Sequence, residues 1–286
     1  MESLAHALGE ATSELAAAGV PSPRVDAELL AAHLLGESAG RVRALALTGA
    51  AVPVGFADLV AERAQRVPLQ HITGVAHFRR LELAVGPGVF IPRPETEIVA
   101  QLAINAASAL DPVRVADLGT GSGAIAGSIA QEVSGAEVFA VELSELACAW
   151  AARNLGPLGV TLVQDDFAVA LSGHNGTFDV VVSNPPYIPT ESVPRDPEVA
   201  DHDPELALYG GSADGLRLPL AASTAAARLL RAGGYFVMEH AEVQAGSLKR
   251  ILSADPAWRD VRTHQDLSGR DRATSAVRAD VPSEGS

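Results

Sequence analysis

From residue 113 the chain alternates short apolar runs with stretches of helical periodicity, and this alternation leaves few folds open. Residues 113–118, 137–142, 161–163, 178–183 and 235–239 read as strands, and 124–133, 144–154 and 220–230 as helices. Parallel strands need a crossover connection, and a helix laid on one face of the sheet supplies it. The expected architecture is therefore α/β: a doubly wound, mostly parallel, Rossmann-like sheet that binds ligands at the carboxyl ends of its strands.

The first 74 residues differ. Leu4, Leu8 and Leu15, then Ala27, Leu29, Leu30, Ala32, Leu34 and Leu35, recur at helical spacing, with Gly and Pro between the blocks. Ser22-Pro23 and Asp26 are opening signals for a second helix and Gly36 a closing one. The spacing predicts a small N-terminal helical bundle. Between 75 and 95 the alternation of Phe78, Leu81, Leu83, Val85 and Val89, with Gly86-Pro87-Gly88 as the turn, predicts a β-hairpin linker. A catalytic domain would then span 96–278 and a polar tail 279–286.

Composition narrows the function. The formal charge is −14 over 286 residues, a surface that repels phosphate and argues against nucleic acid as the direct substrate. No run reaches the roughly 18 to 20 apolar residues of a membrane span. The N-terminal residues lack the basic start and apolar block of a secretory signal, so a cytoplasmic protein is expected; a monomer is expected as a separate matter. Cys148 is the single cysteine, and the histidines, among them His71, His77, His202 and His240, show no metal-ligand spacing. No metal is expected.

Asp117-Leu118-Gly119-Thr120-Gly121-Ser122-Gly123 sits where the first large-domain strand meets its helix. Glycines there let a ligand approach the backbone while helix N–H groups face it. Glu142 ends the next strand, placed to accept ribose hydroxyls from either a nicotinamide cofactor or S-adenosylmethionine. Asp166-Phe167 follows the third strand, offering a carboxylate and a ring to an adenine; a helix cap beside a core Phe would use the same pair. Glu239 and His240 end the fifth strand near the expected site, where they can support the residues that touch the ligand, although a structural role is the simpler reading.

The strand 178–183 stops in Asn184-Pro185-Pro186-Tyr187. Two prolines cannot continue a central strand, so the chain leaves the sheet stiffly, beside the glycine loop. The Asn184 side-chain oxygen and the Pro185 carbonyl can each accept one hydrogen of a planar NH2 group, and the prolines remove competing donors. An amide nitrogen is a poor nucleophile because its lone pair is delocalised. As such a nitrogen takes a sulfonium methyl it turns cationic, and two fixed acceptors hold its hydrogens more tightly in the transition state than before. Tyr187 can pack on the flat target.

These residues resemble the HemK/PrmC-type protein-(glutamine-N5) methyltransferases over nearly the whole chain. Ile91-Pro92-Arg93-Pro94-Glu95-Thr96-Glu97 is similar to the family's linker signature, Asp117 to Gly123 to its cofactor loop, and Val182 to Pro189 to its substrate motif. Leu206-Ala207-Leu208, Gly210-Gly211 and Asp214-Gly215-Leu216 resemble its lid, and Asp266 to Arg272 its closing strand pair. The resemblance implies a class I S-adenosylmethionine-dependent methyltransferase fold. It also implies that Gly119, Thr120, Gly121, Ser122, Gly123, Glu142, Asp166, Phe167 and Asn184 contact S-adenosylmethionine, which leaves as S-adenosylhomocysteine. The substrate glutamine, from the Gly-Gly-Gln motif of class-1 peptide chain release factors 1 and 2, would lie on Asn184, Pro185, Pro186 and Tyr187, with Asn184, Pro185 and Tyr187 catalytic. The bundle would help to dock that partner.

Phe167 stands where Trp is frequent, Glu142 for Asp and Asp203 for Glu, each keeping its chemical type. His71, Arg79-Arg80 and Ala241 depart further. An N-methyltransferase acting on an exocyclic amino group of adenine or guanine is the alternative, because that group would fit the same tetrad.

Overall fold

The computed structural model describes residues 3–194 and 196–280. Two compact units emerge, one of Met1–Val75 with Pro194–His202 and the other of Ala76–Val193 with Asp203–Ser286.

The first unit is built from α1 (Leu4–Ala17), α2 (Pro23–Leu35), α3 (Ala39–Leu47), α4 (Phe56–Ala64) and the single turn α5 (Leu69–Thr73). Ser3 caps α1 by accepting the His6 N–H, whereas Ser22 makes no side-chain cap and α2 starts instead on Pro23, whose missing N–H costs nothing there. Gly36 closes α2 in the left-handed conformation. Leu4, Leu8, Leu15, Leu30, Val42, Phe56 and Val60 form the core. Asp26 is buried and takes a hydrogen bond at 2.8 Å from Arg63, itself 3% exposed. Arg63 also reaches Glu198 at 2.6 Å, and Arg66 reaches the same carboxylate at 3.1 Å. Residues 194–202, which the sequence places in the large domain, thus group with the bundle through ion pairs that no periodicity announces.

The second unit opens with a hairpin, β1 (Val75–Phe78) and β2 (Leu81–Ala84). Its turn is Arg79-Arg80, not Gly86-Pro87-Gly88. Arg79 holds an unfavourable positive φ of 52° because its N–H reaches Glu97 at 3.1 Å and its guanidinium spans both Glu132 oxygens at 2.7 and 2.9 Å. The Gly-Pro-Gly segment does form a turn, the Val89 N–H reaching the Gly86 carbonyl at 3.4 Å, but one that follows the hairpin and lies against a later helix: a side chain on Gly86 would meet the Trp150 ring, and one on Gly88 would meet Leu146.

There follow α6 (Glu97–Ala107), β3 (Arg114–Leu118), α7 (Ala124–Glu132), β4 (Glu137–Glu142), α8 (Glu145–Leu155), β5 (Thr161–Gln164) and β6 (Phe178–Ser183). After the short helices α9 (Pro197–His202) and α10 (Glu205–Leu208) come α11 (Arg217–Leu229), β7 (Leu230–Glu239), α12 (Ala245–Ala254), β8 (Trp258–Gln265) and β9 (Asp271–Arg278). The seven-stranded sheet runs β5-β4-β3-β6-β7-β9-β8, parallel except where β9 pairs antiparallel with β7 and β8. Side chains alternate across it. Val115, Val138, Val180, Val182 and Val237 face α6, α7 and α8, while Ala116, Leu118, Val141, Val181 and Phe236 face α11 and α12. Strand order reverses between β3 and β6, which opens the crevice where such sheets bind ligands. Among the described residues no helix is long and apolar enough to cross a membrane.

Candidate active site

Three consecutive strands of the sheet, β4, β3 and β6, deliver the glycine loop, Glu142 and the Asn-Pro-Pro-Tyr corner to one edge. In the loop, Gly119, Gly121 and Gly123 all have positive φ. A side chain built on Gly119 or Gly121 would meet nothing within 4 Å, whereas one on Gly123 would strike Leu155 at 2.7 Å. The first two glycines therefore keep space open at the sheet edge, and the third lets α7 pack against α8.

Asp117, buried at the end of β3, secures the loop. Its Oδ2 accepts from the Thr120 hydroxyl at 2.7 Å and from the Ala126 N–H at 3.1 Å. Oδ1 is buried without a hydrogen-bond partner among the described residues. Burial pushes this carboxyl up to about 7, helped by the nearby charge of Glu142 and opposed by the two hydrogen bonds.

Glu142 is held from both sides, accepting the Gly121 N–H and the Ser144 N–H, each at 2.8 Å. A carboxylate has about four acceptor positions, so two remain for a ligand's hydroxyls. Asp166 is exposed and accepts the Ala168 N–H at 2.9 Å, while Phe167 packs against the core facing α11. The cap reading of this pair thus has its structural counterpart, a turn cap beside a core ring, and one Asp166 carboxylate oxygen is left over.

At the corner, Ser183 anchors the strand end by donating its hydroxyl to the Leu118 carbonyl at 2.7 Å. Asn184 donates Nδ2 to the Thr96 hydroxyl oxygen at 3.3 Å. Neither Asn184 Oδ1 nor the Pro185 carbonyl accepts a hydrogen bond from the described residues. Tyr187 does more than offer a ring: its hydroxyl donates to Glu239 at 3.0 Å, and burial, followed by the charge of Glu239, drives the phenol far above its ordinary value.

Residues that the sequence left unassigned complete the corner. Gln244 donates Nε2 to the carbonyls of Tyr187 and Asp214, both at 2.8 Å, and accepts the Ala241 N–H at 3.1 Å. Ile188 pairs with Tyr209, and a side chain on Gly215 would collide with the Tyr187 carbonyl, so a glycine at 215 lets the two backbones touch. Arg93 of the linker reaches Asp203 at 2.7 Å. His240 is a satisfied core residue, bonded through one ring nitrogen to the Ala241 carbonyl and through the other to the Thr274 hydroxyl. Thr96 lay within the Ile91 to Glu97 signature, which marked the segment without saying what the threonine touches.

A reversed-order parallel sheet with an antiparallel strand inserted at β9, a glycine loop after its first strand and an acid after its second, defines a class I S-adenosylmethionine-dependent methyltransferase. In agreement, residues 115–195 match the methyltransferase domain model. The fold is shared with the hMettl16 catalytic domain in complex with MAT2A 3'UTR hairpin 6, at TM-score 0.55 and 16% identity over 79% of this chain and 83% of that one. Residues 6–74 match the PrmC N-terminal domain model. The release factor glutamine methyltransferase of Streptomyces coelicolor is 50% identical over 95% of this chain and 97% of its own, and that of Mycolicibacterium smegmatis 44% over 97% and 99%. The chain belongs to the release factor glutamine methyltransferase family.

Proposed function

We propose that the protein transfers a methyl group from S-adenosylmethionine to the side-chain amide nitrogen N5 of the glutamine in the Gly-Gly-Gln motif of peptide chain release factors 1 and 2. The single observation that carries this reading is the corner at Asn184-Pro185. Two oxygens lie at the edge of the cofactor crevice, neither engaged by the described residues, in a stretch where two prolines have removed the N–H groups that would compete.

The residues suit S-adenosylmethionine. Asp117 Oδ1 is a buried acceptor lacking a partner, a place for a cationic group. The open backbone at Gly119 and Gly121, with Thr120, Ser122 and Gly123, would cradle the methionine part, and Glu142 keeps acceptor capacity for the ribose. Asp166 and Phe167, which follow the neighbouring strand β5, would flank the adenine. When bound, the cofactor supplies a sulfonium methyl.

The chain's own residues do the rest. Asn184 Oδ1 and the Pro185 carbonyl hold the two amide hydrogens of the target and aim its nitrogen along the transfer axis. As positive charge grows on the nitrogen both hydrogen bonds strengthen, which lowers the barrier more than it aids binding. No group need remove a proton beforehand, because the N-methylated amide loses its extra proton readily once the charge has formed. Pro186 keeps the corner stiff and Tyr187 walls the target.

Incubation with methyl-labelled S-adenosylmethionine and, separately, a release factor, DNA and ribosomal RNA tests the proposal. Label on the glutamine of the Gly-Gly-Gln motif is the expected result. Label on an exocyclic amino group of adenine or guanine, with the release factor untouched, would overturn it.

A further inference from the structure

The Asn184 amide has a donor end and an acceptor end of nearly the same shape, and only one way round suits a substrate that brings two N–H hydrogens. Something must decide which end faces the target. The partner of Nδ2, Thr96, cannot do so alone, since a hydroxyl both donates and accepts.

Glu239 stands behind it. The register of β6 and β7 sets Met238 beside Ser183, which brings Glu239 level with Asn184. Both Glu239 and Thr96 are 3% exposed. One Glu239 oxygen accepts the Tyr187 hydroxyl at 3.0 Å, and the other, Oε2, is buried without a hydrogen-bond partner of ordinary geometry among the described residues. The Thr96 hydroxyl, whose oxygen accepts Asn184 Nδ2 at 3.3 Å, is among the groups that favour the charged form of this carboxylate. Burial acts the other way and raises Glu239 above the ordinary glutamate range. Tyr187 and Arg272 join Thr96 in opposing that rise, and Glu95 adds to it. Arg272 is in turn paired with Asp266 at 3.4 Å.

The geometry points to Glu239 as a positioning residue that sets the hydrogen-bond polarity of the corner. Being acceptor-only when ionised, it takes the hydroxyl hydrogens of Thr96 and Tyr187, obliges the Thr96 oxygen to accept from Asn184 Nδ2, and so leaves Asn184 Oδ1 for the substrate. The same carboxylate fixes Tyr187, so one buried charge orients both ends of the tetrad. Without it Thr96 can turn its hydrogen to Asn184 Oδ1, the amide flips, and a donor meets the donors of the target.

This inference rests on the proposed amide substrate, and its test keeps the two apart because methylation of the release factor by the unaltered protein is measured first. In Glu239→Gln the new NH2 group can donate to Thr96. The expected result is a kcat lower by about 10- to 100-fold, the size found when a partner that orients a reacting group is lost, with the affinity for S-adenosylmethionine within about threefold. Thr96→Val should lose kcat likewise and Thr96→Ser should regain it. The kcat profile of the unaltered protein should fall on the acid side above the ordinary glutamate range, and Glu239→Gln should lack that limb. An unchanged kcat in Glu239→Gln, or a loss matched by equal losses of cofactor affinity and thermal stability, overturns the inference. If Glu239→Gln does not fold, the threonine pair decides: Val as active as Thr, or Ser as inactive as Val, overturns it.

Discussion

Asp117 gives the sharpest quantitative test of the cofactor crevice. Burial holds its carboxyl at about 7 against an ordinary value of 3.8. At about 1.36 kcal/mol per pH unit, ionising it in the folded chain costs about 4 kcal/mol more than in the unfolded one. Because the folded value is the raised one, the neutral carboxyl stabilises fully below about pH 4, and that contribution is lost as pH climbs through 7. About 3 kcal/mol of it falls between pH 5 and pH 8. Asp117→Asn cannot ionise, yet its oxygen can still accept from Thr120 and Ala126. Relative to the original chain without cofactor, the variant should therefore gain about 3 kcal/mol of stability over that interval. Equilibrium urea unfolding at several pH values measures this, and both tryptophans, Trp150 and Trp258, lie in the sheet unit and report its transition. A stability difference that stays constant from pH 5 to pH 8 would refute the argument, since it would show that Asp117 is already ionised at pH 5.

Three further outcomes follow from the same geometry. Asn184→Ala should lower the kcat for release factor methylation by roughly 10²- to 10³-fold, the loss expected for a preorganised electrostatic group; near-normal turnover would remove Asn184 from its assigned place. Glu142→Gln turns an NH2 toward one of the two backbone donors it now satisfies, so calorimetry should show S-adenosylmethionine binding weakened by roughly 10- to 100-fold with the fold intact, and unchanged affinity would count against the ribose role. In the helical unit, Arg63→Met leaves the buried Asp26 without its cation, while Glu198 keeps Arg66, and should cost about 3–5 kcal/mol. Helical circular dichroism during denaturation reads that loss, and a cost under about 1 kcal/mol would mean the ion pairs contribute little.

Much of the fold was legible because its signals are local. Strand 178–183 and the helix from 124 appear in the structure at β6 and α7, since burial on both faces of a parallel strand demands an unbroken apolar run and a crossover helix demands its own period. The hairpin turn was misplaced for the opposite reason. Gly86-Pro87-Gly88 carries every local mark of a turn and forms one, but after the hairpin and packed on α8, while Arg79 is held at positive φ by Glu97 and Glu132 from elsewhere in the chain. Helices α6 and α12 went unassigned. Asp166-Phe167 shows how one short pair can satisfy a local cap and still leave a carboxylate oxygen for a ligand.

The linear order of residues determined the chemistry on offer: a donor-free corner, a glycine loop and an acid after each of two strands. These depend on residue type and on neighbours along the chain, where φ limits and missing N–H groups act directly. Only the tertiary structure decided which way that chemistry faces. Thr96, the pair Asn184 and Tyr187, and the pair Glu239 and Gln244 come from three separate stretches, the last two brought together because β6 and β7 pair in one register. A hydrogen bond needs its two atoms within about 3 Å, and chain spacing says nothing of that until the sheet has formed.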